Sequence, residues 1–99
     1  MHDFNSVFSP QINQLLEDWA AAGHRFWSLK RSLASFDRYC IENDVLNDLL
    51  TKELVCDWMR VEADRNIGSE LGERANAIRK LARYYIAIGK EAFILPVGY

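Results

Sequence analysis

The sequence has few residues that break helices and few that carry special chemistry. Two prolines, five glycines and two cysteines occur among its 99 residues. No apolar run approaches the roughly 18–20 residues that span a bilayer. Met1 to Phe4 lack the basic and apolar regions of a secretory signal peptide. With 49% hydrophobic and 26% charged residues, the chain is expected to be one soluble, cytoplasmic globular domain.

Motifs for catalysis and metal binding are also missing. The sequence holds no phosphate-binding glycine loop, no zinc-protease motif and no serine-hydrolase elbow. His2 and His24 have no partner at a metal-ligand spacing, and Cys40 and Cys56 do not form a CxxC pair. Both cysteines fall on predicted apolar helix faces, where they act as small hydrophobic residues. These absences predict no metal, no cofactor and no catalytic activity for this chain alone.

Apolar residues recur at helical spacing, which predicts an all-α, compact four-helix domain. Ser9 and Pro10 indicate an N-cap and a first helical position, and Gly23 indicates the end of that helix. Thr51 is the expected N-cap of the third helix. The predicted helices span Pro10–Ala22, His24–Glu42, Thr51 to about Asp64–Asn66, and Glu70 or Glu73 to Ile88.

The connections and the core follow from the same pattern. Residues 67–69 are expected to form a loop, Gly89 to end the last helix, and residues 93–99 to leave as an extended strand, because Pro96 cannot continue a helix. Phe26 and Ile86 fall on the apolar faces of the second and fourth helices. The residues expected to be buried together are Trp19, Leu33, Phe36, Trp58, Ile78, Leu81 and Tyr85.

Charge is unevenly distributed although the net charge is only −2. Residues 24–39 contain four bases against one acid, and residues 65–90 contain six bases against two acids. The first 23 residues and residues 40–64 are acidic. Helical phase places Arg31 and Arg38 opposite the apolar stripe of the second helix, together with Trp27. It likewise places the polar and basic residues of the fourth helix opposite its apolar stripe: Asn76, Arg79, Lys80 and Arg83, with Lys90 beyond the helix end. These outward bases form either a plain solvated face or a surface that follows nucleic-acid phosphates.

Three segments resemble one protein family when they are taken in order. WSLKRSLASFDRYC at 27–40 is similar to S-Y-R-x-x-L-x-x-F-D-x-Y-C, and LVCDW at 54–58 is similar to l-v-x-x-W. ERANAIRKLARYY at 73–85, followed by IGKEAFILP at 88–96, is similar to E-R-x-x-A-I-R-x-F-x-x-Y-L-x-x-x-G-x-x-A-Y-x-x-P. Over Ser9 to Pro96 the chain resembles the N-terminal core-binding, SAM-like domain of tyrosine recombinases, the phage-type integrases.

The resemblance implies a division of the chain and a function. It implies an N-terminal arm at 1–9, a core-binding helical domain at 10–90, and the start of a linker to an absent catalytic domain at 91–99. Such a domain forms half of a C-shaped clamp on double-stranded DNA during integration and recombination, with its second and fourth helices on the DNA. The implied partners are duplex DNA, the chain's own C-terminal catalytic domain and other recombinase protomers, with no membrane.

The resemblance and the charge pattern together nominate ten DNA-binding residues. They are Arg25, Ser28, Lys30, Arg31, Arg38, Asn76, Arg79, Lys80, Arg83 and Lys90. Arg79 is the one expected to reach a base, since arginine pairs bidentately with guanine in the major groove. Two other functions stay open at this point: a helical protein-interaction domain without DNA binding, and a small helical transcription factor.

Overall fold

The computed structural model describes residues 4–65 and 69–96, and within these ranges it confirms an all-α fold. Its helices are α1 (Ser9–Ala21), α2 (Trp27–Glu42), α3 (Lys52–Arg65) and α4 (Ser69–Ala87). No strand occurs within the described ranges. The chain divides into an N-terminal unit, Met1–Asp48, and a C-terminal unit, Leu49–Tyr99, and each is described by itself.

In the N-terminal unit, α1 packs against α2, and a short turn joins the two helices. Gly23 adopts a φ of 83°, a left-handed conformation that glycine accepts without steric penalty, so the end predicted for α1 is confirmed. Phe8 and Phe36 lie with their ring centroids 5.2 Å apart at the centre of the pair. The other buried apolar residues of α1 and α2 are Ile12, Leu15, Leu16, Leu29, Leu33 and Cys40.

The start of α1 differs from the prediction. Phe8, not Ser9, holds the N-cap position, and no side chain caps the helix there. A preceding turn, in which the Ser9 N–H donates to the Ser6 carbonyl at 3.0 Å, lets the helix begin at Ser9. Phe4, Ser6 and Phe8 are buried, so the described part of the expected N-terminal arm packs on this unit.

Trp19 is half-buried, so its predicted place in the core is wrong. Its indole stacks on the His24 ring at 4.3 Å and donates its Nε1–H to the Arg25 carbonyl at 3.1 Å. The turn residues are thereby held outside a helix. As a result α2 begins at Trp27 rather than at His24, and Phe26 is its half-buried N-cap.

In the C-terminal unit, α3 packs against α4. The Thr51 hydroxyl accepts the Leu54 N–H at 3.2 Å, which confirms the predicted N-cap of α3. Gly89 has a φ of 88°, which confirms the predicted end of α4. Buried apolar residues in this unit include Val55, Trp58, Met59, Ile78, Leu81 and Tyr85.

Two details of this unit differ from expectation. Helix α4 already includes Ser69, which was assigned to a loop; residues 67 and 68 of that loop lie outside the described residues. Ile86 is 47% exposed because it lies at the edge of the buried stripe, in the last turn of α4. Position in helical phase alone therefore overstated how far the apolar face extends.

The exit segment after α4 pairs with the residue before Thr51. Leu50 and Ala92 form an isolated parallel bridge, and the Phe93 N–H donates to the Leu50 carbonyl at 2.9 Å. Leu95 is buried. The expected extended strand is thus reduced to a single bridge followed by irregular chain to Pro96, and residues 97–99 lie outside the described residues.

A buried ion pair joins α3 to α4. Arg74 Nε donates to Glu62 Oε1 at 2.8 Å, and Glu62 is only 2% exposed. Helical periodicity does not predict this pair, since charged residues are rarely fully buried unless paired. Removal of one partner takes a charged hydrogen bond from the other in a buried site, which is far more unfavourable than loss of a surface pair.

We predict that Arg74→Met lowers the free energy of unfolding by about 3–5 kcal/mol. Arg60→Met, which breaks the exposed Arg60–Asp57 pair of 2.8 Å, should lower it by less than about 1 kcal/mol. Urea unfolding followed by circular dichroism measures both. The double variant Glu62→Leu/Arg74→Met should recover most of the loss, and equal effects of the two arginine substitutions would contradict the assignment.

Candidate nucleic-acid interface

The outer face of α2 carries an exposed line of one aromatic and two basic side chains. Trp27, Arg31 and Arg38 fall within about 40° of one another around the helix axis, opposite the buried Phe36. At 1.5 Å rise per residue, the line is ~16 Å long. We call these three residues the α2 line.

Asp37, the one acid among residues 24–39, does not neutralise the α2 line. Asp37 is 5% exposed, and its two carboxylate oxygens accept the N–H groups of Ser6 at 2.9 Å and Asn5 at 3.2 Å. Its negative charge is therefore hydrogen-bonded to backbone N–H groups of the N-terminal segment. The outer face of α2 therefore carries the two exposed arginines and one exposed acid, Glu42, which lies one turn after Arg38.

The first turn of α2 gathers the remaining N-terminal candidates. Arg25 and Ser28 are exposed, and Lys30 is half-buried with its Nζ 5.7 Å from the centre of the Trp27 ring. Trp27 itself is 67% exposed and stacks on Phe26, with ring centroids 5.0 Å apart and planes 19° apart. Two basic and two aromatic side chains therefore lie around one helix end.

The candidates of the C-terminal unit follow α4 at helical spacing. Asn76 and Arg83 are exposed, and Lys80 is half-buried. Lys90, beyond the end of the helix, is exposed and holds its ammonium 5.6 Å from the centre of the Tyr85 ring. Among the described residues, Arg83 forms no ion pair, and the same holds for Arg25 and Arg38.

Arg79 is placed differently from the other candidates. Its Nε donates to the Leu95 carbonyl at 2.8 Å, one terminal nitrogen donates to the Pro96 carbonyl, and the other donates to Asn76 Oδ1 at 3.1 Å. The side chain is half-buried and spans from the middle of α4 to the exit segment. The guanidinium is occupied by these three acceptors, so the structure gives no support to the base contact expected for Arg79.

Sequence reasoning missed two features of this surface. Helical phase placed Arg79 and Arg83 on one outward face, but phase carries no signal for the carbonyls that Leu95 and Pro96 bring back to Arg79. The Phe26–Trp27 stack was also missed, because Phe26 was assigned to the apolar stripe. Two adjacent aromatic residues at a helix start were the available signal.

Other chemistry is weak within the described residues. No group of His, Cys, Asp or Glu there is arranged to hold a metal ion, and no helix there is long and apolar enough to cross a membrane. Cys40 and Cys56 are free thiols; Cys40 is buried and Cys56 is half-buried. Burial raises the pKa of Cys40 to about 12, and the adjacent Asp37 carboxylate adds to the rise. The Cys40 thiol is therefore protonated at neutral pH and a poor nucleophile.

Comparison with protein-family models, curated proteins and solved structures gives no match to this chain. The resemblance to recombinase core-binding domains thus rests on the three quoted segments.

We predict that Arg79→Ala loosens the exit segment and leaves α4 intact. Loss of charged donors to the Leu95 and Pro96 carbonyls should lower the free energy of unfolding by about 1–3 kcal/mol. The amide of Phe93 should exchange its hydrogen faster, as measured by hydrogen–deuterium exchange. Arg83→Ala, one turn further along α4 and exposed, is the matched control. Unchanged exchange in the Arg79 variant would show that these hydrogen bonds do not hold the segment.

Proposed function

We propose that this chain binds double-stranded DNA and serves as the core-binding part of a tyrosine recombinase. The observation that carries the proposal is the α2 line, in which a tryptophan and two arginines are exposed on one helix face while the Asp37 carboxylate is turned inward. The motif resemblance supplies the second, independent support. Exposed arginines on one helix face are groups that can neutralise phosphates.

In this proposal each unit contributes its own set of phosphate contacts. The N-terminal unit offers Arg25, Ser28, Lys30, Arg31 and Arg38, and the C-terminal unit offers Asn76, Lys80, Arg83 and Lys90. Phosphate contacts fix position and give little sequence preference. With Arg79 held by the exit segment, we expect affinity from this domain to depend more on backbone charge than on base identity.

Strand cleavage would belong to a separate catalytic domain, as the resemblance implies. Among the described residues, the pKa of the Cys40 thiol is raised and surface carboxylates are exposed to solvent. Neither kind of group is an activated nucleophile. We therefore propose a non-enzymatic role for this chain, with duplex DNA, the catalytic domain and other recombinase protomers as partners.

A protein-interaction domain is the second candidate, and one observation favours it. Leu49, Ile86, Ile88 and Ile94 are all at least 39% exposed in the C-terminal unit. Exposed apolar side chains of this kind can bind another protein. The two candidates differ in their dependence on salt, because apolar binding is not weakened by counterions as phosphate binding is.

We predict that affinity for duplex DNA falls steeply with salt. Counterion release gives a log–log slope of about −0.9 per phosphate neutralised, so four or five contacts give a slope on the order of −4. Fluorescence anisotropy with a labelled duplex at several salt concentrations measures it. A slope near zero, or no binding at low salt, would favour the protein-interaction domain.

We predict that reversing one base in each unit, Arg38→Glu with Arg83→Glu, lowers duplex affinity at least about a hundredfold, since two contacts become repulsive. Both residues are exposed, so helical content by circular dichroism should not change. The control, Lys52→Glu with Arg60→Glu, makes the same change in net charge on α3. If the two double variants lose affinity equally, the effect is one of net charge, and these faces are not the interface.

A further inference from the structure

Trp27 is an exposed aromatic residue, so packing in the hydrophobic core does not account for its presence. Two-thirds of its surface is exposed, although a buried tryptophan would contribute more to stability than almost any other residue. Its ring is not loose: Phe26 stacks nearly parallel beside it, and Lys30 lies over it. The two stacked rings form an aromatic platform at the start of α2, with the Lys30 ammonium 5.7 Å from the indole centre and most of the indole surface exposed.

The surroundings of this platform select an anionic ligand. Residues 25–31 include Arg25, Lys30 and Arg31 and no acid. The N-cap Phe26 makes no side-chain hydrogen bond to the helix end, and the first turn of α2 holds no acidic residue. The first N–H groups of α2 and the positive end of its dipole therefore add to the charge of these bases.

A flat π surface next to a phosphate-binding end matches the two parts of a nucleotide. Bases stack on exposed aromatic side chains, and the flanking phosphates pair with basic groups. In an intact duplex, however, each base is already stacked between its neighbours and its face is not accessible. A base reaches a tryptophan ring only where it is unpaired or extruded from the helix.

We infer that Trp27 stacks on an unpaired base of DNA, while Arg25 and Arg31 hold the phosphates beside it. This inference rests on the proposed DNA binding and goes beyond it, because it assigns this end of α2 a preference for distorted over regular DNA. The basic residues along the rest of the α2 line bind the adjoining duplex. The alternative is that Trp27 contacts an apolar surface of a partner protein, in which case bulged and intact duplex should bind equally.

The test uses the full chain and three DNAs of matched sequence: a duplex, the same duplex with one central unpaired nucleotide, and the single strand. The wild-type protein should bind the bulged duplex about tenfold more tightly than the intact one, the ratio expected from one stacked base. Trp27→Ala should reduce this ratio to about one, whereas Trp27→Phe should keep most of it. Leu46→Ala, which truncates an apolar side chain that is 82% exposed in the same unit, is the control.

A second measurement does not depend on affinity. Stacking of an unpaired base should quench tryptophan fluorescence, and Trp27→Phe should remove that quench while the protein still binds. Equal binding of bulged and intact duplex, or an equal loss on both in Trp27→Ala, would overturn the inference and leave DNA binding in place. Absence of binding to all three DNAs would overturn the proposed function itself.

Discussion

The Asp37 carboxylate accepts hydrogen bonds from the backbone of residues 5 and 6, and its negative charge is therefore kept off the outer face of α2. Had the carboxylate pointed outward, it would have neutralised part of the α2 line. Instead its oxygens accept two N–H groups that would otherwise lack partners near the start of the chain. The same contact packs Phe4 and Phe8 on the N-terminal unit. One buried carboxylate thus both orders a segment and leaves a basic surface beside it.

The C-terminal unit uses arginine in the opposite way. Arg74 and Arg79 both turn their guanidinium groups toward partners within the unit, the Glu62 carboxylate and the carbonyls of the exit segment. A count of bases along α4 therefore overstates the charge available to a ligand. Arg83 is exposed on α4, Lys80 is half-buried there, and Lys90 is exposed beyond the end of the helix.

The helices could be predicted because periodic apolar residues, the Thr51 cap and the left-handed Gly23 and Gly89 are local signals. Contacts between residues distant in sequence could not. Trp19 had the right phase for the core, but a stack on His24 and a hydrogen bond to the Arg25 carbonyl hold it at the edge. Arg79 had the right phase for a ligand, but the chain sixteen residues later returns to it. Helical phase gives the direction in which a side chain leaves the helix, and contacts with residues distant in sequence determine where it packs.

The attachment of the exit segment has a mechanical consequence. Residues 92–96 are fixed by the bridge to Leu50 and by the Arg79 guanidinium, which anchors them to the middle of α4 rather than to its last turn. Tension applied at Pro96 would load these hydrogen bonds together and reach the helix near its centre. The left-handed turn at Gly89, which follows the last turn of α4, would be shielded from that load.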